Sequence, residues 1–96
     1  MNLTIQSKVA RKYGLHTAAV MGYLKHQEHR TANPEGWFTA PVDPLSYAYK
    51  IKRPTFNRSR DALEHDGIIE TRSYPHKTEF RINTNKYNAL LERDET

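Results

Sequence analysis

The sequence predicts a single α+β domain, and three observations lead to that class. The 96 residues are 36% hydrophobic, 10% aromatic and 27% charged, which is typical of a folded chain with one modest core. Five segments repeat their apolar residues with helical spacing, and two segments within residues 68–83 alternate apolar and charged residues, as a hairpin does. The predicted order is helix, helix, strand, helix, helix, strand, strand, helix, within one domain spanning residues 1–96.

The first helix is predicted from Ile5, Val9 and Tyr13, which are four residues apart and form one apolar stripe. Thr4 is placed to cap its start, because a hydroxyl can accept a hydrogen bond from a free backbone N–H. Gly14 is a favourable residue for its end.

The second helix, LHTAAVMGYLKHQEHR at residues 15–30, is apolar on nearly all sides as far as Leu24. Such a helix has to be covered from two directions. The first helix covers one of them, and either the last helix or a second copy of the chain covers the other. A second copy would give a homodimer whose interface includes Val20, Met21 and Leu24.

A short strand and a third helix follow the turn at residues 33–36 (NPEG). The strand is predicted at residues 37–40 (WFTA). Asp43 as N-cap and Pro44 as the first helical residue predict the start of the helix. Ile51 is expected to fill a tight turn behind it. The buried stripe of this helix is predicted on Leu45, Ala48 and Tyr49.

The fourth helix lies within residues 52–67 (KRPTFNRSRDALEHDG), with Pro54 at its first position and Gly67 at its end. Its inner face is narrow and consists of Phe56, Ser59 and Leu63.

A hairpin and a last helix complete the chain. One register pairs apolar residues on one face (Ile69 with Ile82, Thr71 with Phe80) and opposite charges on the other (Glu70 with Arg81, Arg72 with Glu79). Pro75 favours a four-residue loop over residues 74–77, and the last helix is predicted at residues 85–93 (NKYNALLER).

The segment PLSYAYKIKRPTFNRSRDALEHDGII resembles the helix-turn-helix and first wing strand of the winged-helix DNA-binding superfamily. With its neighbours the resemblance covers roughly residues 37–83, and it implies an α+β winged helix-turn-helix with two leading helices, a small three-stranded sheet and a short C-terminal helix. The segment ARKYGLHTAAVMGYLKH shows a looser resemblance to the leading helices of phage and plasmid replication-initiation proteins and of some phage regulators.

The chain departs from the superfamily pattern at three positions. Lys50 stands where the turn usually has Gly, and Lys52 stands where a Ser or Thr cap is usual. Both leave the tightness of the turn open. Arg60 stands near a position that is commonly aliphatic, so we expect its stem along the core and its head in solvent.

Positive charge is concentrated at the start of the fourth helix. The net charge is +4, and residues 50–60 contain five cations and no anion. Cations are disfavoured at a helix N-terminus by the helix dipole, which points to a polyanionic partner rather than a merely solvated face. The resemblance implies a recognition helix with Thr55, Asn57 and Arg58 near bases, Arg53 near bases or backbone, and Lys50 and Lys52 on phosphates.

The predicted wing adds further candidate DNA contacts, namely Arg72, His76 and Lys77. Glu79 competes for Arg72 in the predicted register, so His76 and Lys77 are the firmer assignments. The alternative is a plain hairpin whose charges serve solubility.

Other chemistries lack the residues they need. There is no cysteine, no Gly-x-Ser-x-Gly motif and no glycine-rich phosphate loop. His26 and His29 have no third ligand at a definite spacing, and we interpret them as the polar end of a helix. Four tyrosines are interpreted as aromatics at the core edge: Tyr13, Tyr47, Tyr49 and Tyr87. We therefore expect no enzyme activity, cofactor or metal.

The sequence thus predicts a protein that binds double-stranded DNA at specific sequences. It would act as a transcriptional regulator or as the DNA-binding part of a replication initiator. The absence of cysteine fits the reducing cytoplasm, and no segment predicts a membrane span. The alternative is a winged-helix module that binds an acidic surface of another protein.

Overall fold

The computed structural model describes residues 3–92. Their fold is α+β, with a three-stranded antiparallel sheet of order β1-β3-β2. The order of elements is the predicted one. Within the described range, no helix is both long and apolar enough to cross a membrane. The elements are α1 (Ser7–Tyr13), α2 (Leu15–Thr31), β1 (Phe38–Thr39), α3 (Val42–Tyr49), α4 (Arg53–His65), β2 (Ile69–Tyr74), β3 (Lys77–Ile82) and α5 (Thr84–Glu92).

The helix α2 is the centre of the core. Every residue from Thr17 to Leu24 is buried, as predicted for a helix that is apolar on all sides. The covering elements belong to the same chain, since α2 packs against α1, α4, β1 and β3. Val20, Met21 and Leu24 are at most 1% exposed, so the prediction that they form a dimer interface is wrong. Leu15, at the start of α2, is instead 66% exposed.

The N-terminal segment lies across α2 at Gly22. A Cβ added at Gly22 would lie 2.4 Å from the carbonyl oxygen of Thr4, so only glycine fits this crossing. The prediction that Thr4 caps α1 is wrong. The helix begins at Ser7 and its N-cap is Gln6, because residues 3–6 run along α2 before the helix starts.

Two side chains of α2 hold the end of β1 and the loop that follows it. The hydroxyl of Tyr23 donates to the carbonyl oxygen of Pro41 at 2.5 Å. The amide nitrogen of Gln27 donates to the carbonyl oxygen of Thr39 at 3.2 Å. The entry into α3 is thereby attached to the central helix.

The helix α3 begins two residues earlier than predicted, at Val42 rather than Pro44. Pro41 is its N-cap, so Asp43 lies inside the first turn, where the helix dipole favours a negative charge. The earlier start extends the buried stripe toward the N-terminus of the helix. Val42 and Leu45 are buried and Tyr49 packs partly buried against the core, whereas Ala48 is exposed, contrary to the prediction.

The helix α4 buries its predicted inner face, Phe56, Ser59 and Leu63. The hydroxyls of Ser59 and Thr17 are 2.8 Å apart and buried, which joins α4 to α2.

At the C-terminal end of α4, the N–H of Gly67 donates to Glu64 O and the N–H of Ile68 donates to Leu63 O. Gly67 has a φ of 75°, so the predicted glycine stop is confirmed as a Schellman motif.

The hairpin has the predicted register at all four predicted pairs. Its apolar face joins the core through Phe80, whose ring centroid is 6.2 Å from that of Phe38 and 6.1 Å from that of Phe56.

The prediction of a four-residue loop at the hairpin tip is wrong. Tyr74 still pairs with Lys77, so only Pro75 and His76 connect the strands.

The last helix, α5, covers α1 and buries Tyr87 and Leu90. Asn83 caps its start by accepting a hydrogen bond from the N–H of Lys86 at 3.1 Å. Arg93, the final residue of the predicted helix, lies outside the described residues.

Candidate nucleic-acid interface

The start of α4 carries positive charge that its own helix does not balance. Lys52 is the N-cap residue and makes no side-chain capping bond, and the first turn contains no acid. The helix begins at Arg53, so Pro54 is its second residue rather than its first. Proline has no N–H to satisfy there, which suits an uncapped start. The free N–H groups and the cations therefore favour an anion at the same place.

No acid from the described part of the chain neutralises these cations. Lys50, Lys52, Arg53 and Arg58 form no salt bridge with any residue in the range 3–92. The guanidinium of Arg58 makes one hydrogen bond, from Nη2 to the hydroxyl of Thr55 at 3.3 Å. Lys50, Lys52, Arg53 and Arg58 are all exposed. Their charge is available to a ligand.

The candidate base-contacting residues lie on two sides of α4. Arg58 follows the buried Phe56 by two residues, about 200° around the helix axis, so it points away from the core. Arg53 and Asn57 lie on the side that faces the hairpin, together with Arg60. Thr55 is half-buried. The helix thus presents one cation outward and others toward the hairpin tip.

A groove of about 470 Å³ separates α4 from the hairpin tip. It brings together Arg53 and Asn57 with His76 and Lys77. Asp43, at the start of α3, is the acid on its wall. Lys50, Lys52, Thr55 and Arg58 lie outside it. Segments distant in sequence therefore combine into one surface with a net positive charge.

The turn before α4 is made by a lysine in a left-handed conformation. Lys50 has φ 60° and ψ 24°, and its N–H donates to Ser46 O at 2.9 Å. It is the one non-glycine residue with positive φ in residues 3–92. Ile51 then enters the core, where it is buried as predicted. The turn is as tight as a glycine would make it, at a cost in backbone strain.

Arg72 is held by two partners on the outer face of the sheet. Its Nε donates to Glu79 Oε1 at 2.8 Å, and its guanidinium carbon lies 4.0 Å from the centroid of the Trp37 ring. The hydrogen bond from Arg72 lowers the pKa of the Glu79 carboxyl. Lys77 also reaches Glu79, with Nζ 3.6 Å from Oε2. His76 is exposed at the tip.

Arg60 and Trp37 were not predicted as part of a site, whereas Tyr74 belongs to the predicted wing tip. Arg60 is half-buried and lines the groove, and its guanidinium pairs with Asp61 at 3.2 Å, whereas the prediction placed its head in solvent. Tyr74 lines the groove from the hairpin. Trp37 is buried beneath Arg72 and Arg81. Alternation of Trp37 with Phe38 could have placed Trp37 on the charged face, but no sequence signal gives its stacking partners.

Other predicted residues are placed as follows. Tyr47 on α3 is 91% exposed, so its interpretation as a core-edge aromatic is wrong. His26 and His29 lie beside a second groove between α2 and α5. Within residues 3–92, no three His, Cys, Asp or Glu side chains are grouped so that they could hold a metal ion.

Comparisons of the chain with protein-family models, with curated proteins and with solved structures found no match.

Proposed function

We propose that this protein is a winged helix-turn-helix protein that binds double-stranded DNA at specific sequences. In this proposal α3 and α4 are the helix-turn-helix, α4 is the recognition helix and the β2–β3 hairpin is the wing. It serves as a transcriptional regulator or as the DNA-binding part of a phage or plasmid replication initiator. The observation that carries the proposal is the cationic, uncapped start of α4 beside the hairpin tip, with its charges unpaired by the described residues.

The direction of α4 supports a major-groove contact. A recognition helix enters the groove with its N-terminal end, and here that end carries Arg53, Asn57 and Arg58. Arg and Asn side chains match the hydrogen-bonding edges of guanine and adenine. Thr55 holds the Arg58 guanidinium, which reduces the freedom that Arg58 would lose on binding a base.

The remaining cations suit the phosphate backbone. Lys50 and Lys52 precede the helix and are exposed, so they position the duplex without reading its sequence. His76 and Lys77 lie across the groove from α4, where a wing would follow the backbone of the same duplex. In this proposal both pairs of cations contact the phosphate backbone of one duplex.

Selection of bound duplexes from a random-sequence library tests the proposal. A DNA-binding protein returns an enriched sequence, and the mass of the complex in solution gives the number of subunits on it. Half-site symmetry in the enriched sequence indicates a dimer formed through a surface other than Val20, Met21 and Leu24. A library that stays random through repeated rounds at low salt contradicts sequence-specific binding.

Two variants separate sequence reading from phosphate binding. Arg58→Ala is expected to relax the preference for the base it contacts, at a cost of about 1–3 kcal/mol. Lys52→Ala is expected to weaken all duplexes alike and to reduce the salt slope by about 0.9, the value for one phosphate contact. If both substitutions have the same effect on sequence preference and on the salt slope, the assignment of base and phosphate roles is contradicted.

The alternative is a module that binds an acidic protein surface. The exposed ring of Tyr47 favours it, because large aromatics are enriched where proteins meet. In that case Arg58→Ala and Lys52→Ala leave duplex affinity unchanged while binding of the acidic partner collapses. Tyr47→Ala then weakens partner binding as well, whereas DNA binding leaves that variant close to wild type.

A further inference from the structure

The outer face of the sheet contains a cluster of stacked and ion-paired side chains that ends at the hairpin tip. Trp37 is 8% exposed, because the guanidiniums of Arg72 and Arg81 cover its ring at 4.0 and 4.6 Å. The carboxylate of Glu79 receives Arg72 on one oxygen and Lys77 on the other. We call Trp37, Arg72 and Glu79 the wing cluster.

The wing cluster contacts two of the tip residues that line the groove, Tyr74 and Lys77. The guanidinium carbon of Arg72 lies 5.6 Å from the centroid of the Tyr74 ring, and Lys77 Nζ lies 5.5 Å from the same centroid. The Tyr74 ring thus lies near two cations, Arg72 and Lys77, and both cations pair with Glu79. Since Tyr74 and Lys77 both line the groove, the cluster sets where the groove wall stands.

Arg72 has little freedom to leave this arrangement. Its Nε is committed to Glu79 and one face of its plane to Trp37, while its side chain is 37% exposed. Moving to a phosphate would break a charge-assisted hydrogen bond and an aromatic stack together. Its geometry is that of a side chain that positions others.

We propose that the wing cluster is the positioning unit of the wing, so that an acidic side chain, Glu79, strengthens the binding of a polyanion. Arg72 acts through Tyr74 and Lys77, and Tyr74 is a ligand contact of the wing. This inference rests on the proposed function. It also opposes the simplest electrostatic expectation, because removing an acid from a protein normally tightens its binding to DNA.

The test compares Glu79→Ala with Glu70→Ala on the duplex enriched by selection. The two variants are matched, since each removes one carboxylate from the same sheet face, and each carboxylate pairs with an arginine that stacks on Trp37. Only Glu79 also holds Lys77. We expect Glu79→Ala to bind about tenfold more weakly, from the lost ordering of two side chains. Glu70→Ala should bind as wild type or slightly tighter.

The outcomes are distinct. Binding by Glu79→Ala that equals or exceeds that of Glu70→Ala overturns the positioning role, and so does an equal loss in both variants. If the wild-type protein binds no duplex, the proposed function itself fails and the inference falls with it. If the wild type binds and Tyr74→Ala loses nothing, the contact role of Tyr74 is overturned.

A second measurement covers the case in which Glu79→Ala does not fold. Arg72→Gln keeps a long planar side chain that can stack on Trp37, but it loses the charge. A positioning role predicts that Arg72→Gln weakens binding by the wild type but causes no further loss, and no change of salt slope, when Tyr74 and Lys77 are already alanine. A direct phosphate contact predicts a slope reduced by about 0.9 in that background too, and that result overturns the proposal.

Discussion

The helices α2 and α4 show how differently one small chain uses two helices. Every residue of α2 from Thr17 to Leu24 is buried, whereas α4 buries only Phe56, Ser59 and Leu63. The first is an axis around which the other elements pack. The second is attached along a narrow stripe and presents its cationic start to solvent. The difference indicates that the core depends mainly on α2, whereas the exposed charges of α4 are available for the proposed recognition of DNA. Four changes test this separation.

The largest effect is expected in α2. Leu24→Ala removes a fully buried side chain and should lower the free energy of unfolding by about 2–5 kcal/mol. Arg58→Ala, in the exposed part of α4, should change it by no more than about 0.5 kcal/mol. Urea denaturation of both variants measures the contrast. Similar losses in the two would show that α4 is more than a surface element.

The contact between the two helices is the next test. Thr17→Val keeps the shape of the side chain but leaves the buried hydroxyl of Ser59 without its partner, which should cost about 1–3 kcal/mol. Adding Ser59→Ala removes the second polar group, so the double variant should be less destabilised than the sum of the single ones. Strict additivity in thermal denaturation would mean that the hydroxyls are not coupled.

Lys50→Gly should act in the opposite direction on stability. Relief of the left-handed conformation is expected to raise the free energy of unfolding by about 1 kcal/mol, less the flexibility that glycine adds to the unfolded chain. The same change should reduce the salt slope of duplex binding by about 0.9 if Lys50 contacts a phosphate. Lys50→Asn is the control, since Asn tolerates this conformation but carries no charge. A stability loss in both variants would show that the lysine side chain itself supports the turn.

The smallest effect concerns the other end of α4. The hydroxyl of Tyr13 donates to Asp66 at 2.5 Å and lowers the pKa of that carboxyl, so the contact stabilises the fold above the ordinary pKa of Asp. This stabilisation is lost as the pH falls through the lowered pKa. Tyr13→Phe should raise the pKa of Asp66 toward its ordinary value, as measured by NMR titration, and flatten the pH dependence of stability below about pH 4. Lys12, with Nζ 3.7 Å from the carboxylate, keeps part of the shift. An unchanged pKa would show that the nearby cations, Lys12 and His65, set it without Tyr13.

The elements of the fold were predictable where local chemistry decides them. The glycine stop at Gly67 and the inner stripe of α4 follow from backbone and spacing rules, and the hairpin register follows from matching both of its faces. The start of α3 was not predictable in this way. Asp43 and Pro44 form a good local start, but Tyr23 holds Pro41 from a distant helix and the helix begins earlier.

The features of the candidate site also separate into those that local sequence determines and those that depend on tertiary packing. The charge of residues 50–60 and the exposure of Arg58 were predictable. A charged side chain on the side of a helix opposite its one apolar stripe faces solvent. The groove that joins Arg53 and Asn57 to His76 and Lys77 was not, and neither was the stacking of Arg72 on Trp37. Both depend on which elements pack together over long separations.

By itself, the sequence determined the α+β class, the order of the elements, the hairpin register and a cationic helix start. Each of these follows from periodicity or pairing among near neighbours. Only the tertiary structure decided what covers α2, where the groove lies and which side chains contact the hairpin tip. Val20, Met21 and Leu24 are buried within this chain rather than against a second copy. Their burial depends on how helices distant in sequence pack, and the spacing of apolar residues along one helix does not identify the element that covers them.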